Sequence, residues 1–347
     1  MSENRTEVSS LGEFGLIHQL TDGFVNGHHS TIKSIGDDAA VIQYQADKVT
    51  LVSTDLLLEG IHFDLMYCPL KHLGYKAVVV NLSDIYAMNG TPKQITVSIG
   101  ISNRFSLEAL EDFYNGIKAA CKAYNVDLVG GDTTTSLKGF VISITAIGEA
   151  DSNKVVYRNG AKEGDLIFIT GDVGAAFMGL QLLEREKQLF KEDPNIVPDL
   201  DNQDYLVGRQ LKPEAQKECI EKLAELNIVP SSMIDVSDGL SSEMFHICTQ
   251  SQVGCLIYEE QIPIDADTYE TALKFNMDPI TCAVNGGEDY ELLFTVSKDD
   301  AQKLYGMFGM KCIGQITNKE KGIILESKAG MKHELKAQGW NLTDALK

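Results

Sequence analysis

Apolar runs interrupted by short acidic, glycine-bearing stretches set the rhythm of this chain. β-rich runs at 39–44 (AAVIQY), 49–53 (VTLVS) and 95–101 (ITVSIGI) predict strands. A fourth, 140–147 (FVISITAI), is small or apolar throughout, as a well-buried strand is. Between them, 71–88 predicts a helix that stops at Asn89-Gly90. The stretch 106–124 predicts another, opened by Ser106 and followed by Asn125. Polar turn formers across 150–164 mark a boundary. Beyond it, LIFIT (166–170) reads as a strand, followed by GDVG and a helix through 174–187. Residues 188–210 are charged, carry Pro194 and Pro198, and read as an exposed excursion. A helix over 213–226 opens on Pro213. Strand-like runs follow at 254–258, 291–296, 312–316 and 322–325. The pattern predicts two α+β units in series, not a regular βαβ repeat.

A length of 347 residues suits two domains, which are expected at 12–150 and 160–345. Thirty basic against fifty acidic residues give a net charge of −20. That disfavours nucleic acid and anionic membrane as partners. It leaves an anionic substrate open, provided divalent cations stand between the two sets of charge. No apolar run approaches the roughly 18 residues of a membrane span. Glu3, Glu7 and Glu13 occupy the start, where a secretory signal would be basic and then apolar, so a cytoplasmic setting is expected. The seven cysteines form no CxxC pair, which fits reduced thiols rather than zinc or a disulfide framework.

The familiar nucleotide signatures are missing. There is no Gly-Lys dipeptide for a Walker A loop, no GxGxxG, and no kinase HRD…DFG set. Acidic motifs recur instead: GDDAAV (36–41), STDLLLEGIHF (53–63), NLSDIYAMNGTP (81–92), VGGDTTTS (129–136), DVSDGLSSE (235–243) and NGGEDYELLF (285–294). Each places carboxylates where a strand ends or a helix starts, at the rim of a sheet. Magnesium takes one or two carboxylates plus phosphate oxygens, so Asp38, Asp55, Asp84, Asp132, Asp235 and Asp238 could share several ions. Neighbouring glycines let backbone N–H groups approach phosphate. Any one of these aspartates reads equally as a cap or an Asx turn. The whole series is harder to assign to turns.

In this order, the motifs resemble the successive signatures of the thiamine-monophosphate kinases, from about Gly12 to Trp340. That family is akin to aminoimidazole-ribonucleotide synthetase and selenophosphate synthetase. The resemblance implies a synthetase-like α/β fold of α+β type. Its N-terminal domain dimerises through its sheet, and a C-terminal α/β domain packs against it. It implies a homodimer, ATP as co-substrate in a cleft at the dimer interface, thiamine monophosphate as acceptor, and several magnesium ions. By resemblance, Asp38, Ser53, Thr54, Asp55, Asp84, Asp132, Asp235 and Asp238 are metal ligands. Tyr114, Gly131, Arg158 and Ser237 serve ATP, while His62, Glu288 and Trp340 serve the substrate. Asp84, Asp235 and Arg158 are the expected catalytic set. The chain departs from the family after Gly-Trp, reading GWNLTDALK where an Asp-His-Phe tail is usual. Two rival readings are another ATP-dependent synthetase of the same superfamily and a non-catalytic magnesium–nucleotide binder. The first Cys is Cys68, whereas a selenophosphate synthetase carries a reactive Cys or Sec near its start.

Overall fold

The computed structural model describes residues 28–307 and 309–335. Its first half contains β1 (Thr31–Lys33), β2 (Ala40–Ile42), β3 (Lys48–Leu58), α1 (Leu70–Ala87), β4 (Thr91–Ile101), α2 (Leu107–Tyr124), β5 (Asp127–Thr135) and β6 (Val141–Asp151). The strands lie in the order β1-β2-β3-β6-β4-β5. Every pair is antiparallel except β4 with β5. Alternate residues of β6 are buried, so one face of the sheet meets α1 and the core and the other does not. Helix α1 is apolar on nearly every side, as a helix enclosed by its fold must be. It nonetheless buries Lys76, Asn81 and Ser83. Helices α1 and α2 meet backbone to backbone. A Cβ on Gly74 would lie 2.0 Å from the Phe113 carbonyl oxygen, and one on Gly116 would lie 1.9 Å from that of Lys71. The hydroxyl of Ser106 caps α2 by accepting the Ala109 N–H, and Asn125 closes it in the left-handed region.

The second half contains β7 (Leu166–Thr170), α3 (Ala175–Glu192), α4 (Asp204–Leu211), α5 (Lys217–Glu225), β8 (Ser232–Asp235), α6 (Leu240–Ser251), β9 (Gly254–Tyr258), α7 (Ala266–Lys274), α8 (Pro279–Asn285), β10 (Leu292–Val296), α9 (Lys298–Leu304), β11 (Met310–Thr317), β12 (Ile323–Glu326) and β13 (Lys332–Glu334). The sheet runs β13-β12-β9-β11-β7-β10-β8, with only β9 and β12 parallel. The α+β class expected from the sequence is what the two mixed sheets show.

Several elements differ from the sequence reading. The excursion 188–210 shrinks to 193–203, because α3 runs on to Glu192 and α4 packs against it through buried Leu206, Gln210 and Leu211. The helix expected at 213–226 starts only at Lys217. Residues 213–216 stay irregular because they bond to the first half instead. The hydroxyls of Tyr75 and Tyr124 donate to Glu214 Oε2 (2.5 and 2.7 Å), and the Ala215 N–H donates to the Tyr124 hydroxyl (2.8 Å). VGGDTTTS is not a turn but most of β5, an edge strand exposed along its whole length. Its second glycine is needed for pairing: a Cβ on Gly131 would stand 1.8 Å from the Val97 carbonyl oxygen.

Candidate active site

Three aspartates from distant segments converge between the two sheets. Asp38 sits in the bend before β2, Asp84 in the last turn of α1, and Asp235 at the end of β8. One oxygen of each lies within 4.8 Å of the others. The Ser53 hydroxyl donates to Asp84, and the Ser83 hydroxyl donates to Asp235 Oδ2 (2.6 Å). Asp55, on the same face of β3 as Ser53, donates its N–H to Asn81 Oδ1 (2.9 Å). Burial drives the pKa of Asp84 well above the carboxylate range, and Asp55, Asp235 and Asp38 add to it. The helix C-terminus beneath Asp84 carries partial negative charge and works in the same direction. Asp235 is pushed up by burial and Asp38, against the pull of Ser83 and Arg158.

Arg158 balances only part of this charge. Its Nε and Nη2 donate to Asp38 Oδ2 (2.9 Å) and Oδ1 (3.0 Å), and its N–H donates to Asp37 Oδ1 (3.1 Å). Hard oxygen donors crowded this closely suit a divalent cation such as magnesium. Without one, protons must relieve the repulsion. Ser237 and Asp238 occupy the turn after β8. The Ser237 carbonyl accepts the Glu288 N–H (2.7 Å), so DVSDGL and NGGEDYELLF lie against each other. Asp238 donates its N–H to Glu243 Oε1 (2.9 Å). Burial raises its pKa, with Arg158 opposing and Glu288 assisting.

A second group adjoins the first. His62, in the turn after β3, accepts the Leu58 N–H at Nδ1 (3.0 Å). When neutral, it therefore carries its proton on Nε2. Burial holds its pKa below the usual value, with Glu288 opposing and Lys76 assisting. Glu288 has φ 65° and Tyr290 φ 53°. Such left-handed non-glycine residues cost about 1–3 kcal/mol each and cluster at functional sites. Lys76 donates to Glu288 Oε2 and to the Gln210 carbonyl (2.9 Å). Tyr290 lies within the electrostatic reach of Glu288, Asp55, Asp235 and Asp84, and so links the two groups.

The expected site residues thus divide. Asp38, Ser53, Asp55, Asp84, Arg158, Asp235, Ser237, Asp238, His62 and Glu288 line one cleft. Thr54 does not join them. Strand alternation turns its hydroxyl to the opposite face, where it donates to the Ile144 carbonyl (3.0 Å). Asp132 and Gly131 lie on edge strand β5, separated from β3 by β6 and β4, and so stand apart from the cleft of their own chain. Tyr114 lines an open groove of about 610 Å³ beside that edge, with Glu111, Asn115, Lys118, Asp127 and Leu128. Trp340 lies outside the described residues. The sequence reading missed Lys76 and Tyr290. An isolated lysine in an apolar helix was the available signal for the first.

Two mixed sheets with three aspartates converging between them define a two-domain synthetase-like architecture, and the comparisons agree. Residues 36–150 match the family described as AIR synthase related protein, N-terminal domain, and 162–325 match its C-terminal domain. The chain belongs to that family and, within it, to the thiamine-monophosphate kinases. It is 35% identical to the thiamine-monophosphate kinase of Bacillus subtilis over 300 residues, covering 85% of this chain and 86% of that one. It is 33% identical to that of Aquifex aeolicus over 333 residues, covering 96% and 98%. A solved structure described as AaThiL complexed with AMPPCP and TMP superposes with a TM-score of 0.81 at 30% identity, covering 98% of this chain and all of that one (100%).

Proposed function

We propose that the protein transfers the γ-phosphoryl group of ATP directly to thiamine monophosphate, giving ADP and thiamine diphosphate, the last step in making that product. The carrying observation is the convergence of Asp38, Asp84 and Asp235 beside Arg158, next to the His62–Glu288 pocket. The acceptor is a phosphate oxygen, already ionised at neutral pH, so no strong general base is called for. The task is to hold two polyanions in line and to spread charge on the transferring group. Arg158 supplies a fixed cation beside the cluster. His62 offers its Nε2–H to the phosphate side of the substrate. Glu288 accepts from the substrate ring, and Trp340 offers it an aromatic face. Magnesium, when bound by Asp38, Asp84 and Asp235 with Ser53, Asp55 and Asp238 around them, supplies neutralising charge for both phosphate chains.

The helix-free face of the first sheet and its exposed edge, with Leu56, Leu128 and Val129 outward, support a homodimer. In this reading ATP spans the interface, and Asp132 of the partner subunit completes the metal set. Among the described residues no helix is long and apolar enough to cross a membrane, and we place the reaction in the cytoplasm. The test is to incubate the pure protein with magnesium–ATP and thiamine monophosphate. ADP and thiamine diphosphate should form in equal amounts, and bound nucleotide without product would overturn the reading. Label from γ-labelled ATP should never become covalently attached to the protein.

A further inference from the structure

We infer that Lys76 is a positioning residue for the substrate pocket: by holding Oε2 of Glu288 it presents Oε1 to a hydrogen-bond donor on the substrate. The inference rests on the reading of Glu288 as a contact of thiamine monophosphate. Lys76 is 2% exposed, on a helix whose sequence is largely apolar. An ammonium in that position needs a close counter-charge, and Glu288 supplies it from the other half of the chain. The remaining Lys76 bond goes to the Gln210 carbonyl (2.9 Å), and Gln210 Nε2 donates to the same Oε2 (3.0 Å). Among the described residues, both hydrogen bonds to the Glu288 carboxylate therefore fall on one oxygen. The side chain is 30% exposed, and among the described residues Oε1 carries no hydrogen bond. Beneath it the backbone is left-handed, and the N–H is fixed to the Ser237 carbonyl (2.7 Å). Tether, strained backbone and open oxygen together make a preorganised acceptor. Because Lys76 already balances the charge, the fitting partner is an N–H donor, such as the amino group on the pyrimidine ring of thiamine monophosphate.

Steady-state kinetics on the full-length wild type, Lys76→Met and Lys76→Arg decide the matter. Lys76→Met should raise KM for thiamine monophosphate about tenfold or more, with kcat within about threefold and KM for ATP unchanged. Lys76→Arg should recover part of the loss. A Lys76→Met enzyme with wild-type KM for thiamine monophosphate, or one impaired in kcat alone, overturns the inference. If Lys76→Met does not fold, Lys76→Gln, which keeps a neutral donor in the pocket beside Glu288, carries the same expectation at a smaller size. Wild-type KM in that variant also overturns the inference. A wild-type enzyme that binds magnesium–ATP but never turns over thiamine monophosphate would instead remove the functional reading on which this rests.

Discussion

Two buried carboxylate clusters stand side by side in this molecule, and the segment NGGEDYELLF feeds both. In the first, Asp38, Asp84 and Asp235 crowd together with Arg158 on one of them. In the second, Asp289 and Glu291 are met donor by donor. Arg209 Nη1 donates to Glu291 Oε1 (2.7 Å), and the Thr170 hydroxyl donates to Glu291 Oε2 (2.5 Å). The Gly174 and Ala176 N–H groups at the start of α3 donate to Asp289 (2.7 and 3.2 Å), where the helix dipole also favours a negative charge. Burial lifts Asp289 to about 7, with Arg209 and the two amides opposing. At Asp84 the neighbouring carboxylates push the same way as burial, with the Ser53 hydroxyl opposing. Burial thus has two outcomes. A cluster whose oxygens all have donors holds the fold, whereas one whose carboxylates repel each other suits a cation.

Exchanging these roles by mutation should break the distinction if it is wrong. Arg209→Met strands Asp289 and Glu291, and should cost about 3–5 kcal/mol in urea denaturation while the folded fraction keeps near-normal KM values. An unchanged midpoint would mean that the second cluster is not structural. Asp84→Asn and Asp235→Asn should each lower turnover by about 10²–10³-fold at saturating magnesium. Their melting temperatures should hold or rise, since repulsion is relieved. Near-normal rates in both would show that the first cluster does not serve the reaction.

Proton and metal should compete at the first cluster. The folded-state pKa values of Asp84 and Asp235 are raised, so folding takes up protons there. That stabilisation is fully present below about pH 4, the unfolded carboxylate range, and is lost as pH rises through the raised values. As pH rises through the range of those raised values, the metal-free protein should therefore lose stability. Magnesium at about 100 times its Kd should restore about 2.7 kcal/mol at the upper end and less at the lower end. Thermal melts with and without the ion check this, and Asp84→Asn should blunt the difference. The smallest effect expected is that of Tyr114→Ala, about 1 kcal/mol in the KM for ATP with that for thiamine monophosphate unmoved.

The aspartates were legible because each stands within two residues of a glycine or serine, in motifs short enough to read locally. The division of NGGEDYELLF was not. Glu288 and Tyr290 turn to the cleft while Asp289 and Glu291 turn to Arg209, and the left-handed backbone at Glu288 and Tyr290, just before β10, settles which goes where. Lys76 was hidden because its partner, Glu288, is 212 residues away. Arg209 fell inside a stretch whose charge suggested solvent, although α4 packs on α3 there. Asp132 and Tyr114 were legible as chemistry but not as location, because strand order, which sets their distance from β3, leaves no local trace.

Glu214 holds the hydroxyls of Tyr75 and Tyr124 at once, pinning the second half of the chain onto both helices of the first. Since the cleft draws side chains from both halves, this pin keeps the walls of the reaction chamber in step. Losing that one carboxylate would release both phenols together and loosen the hold of one half on the other.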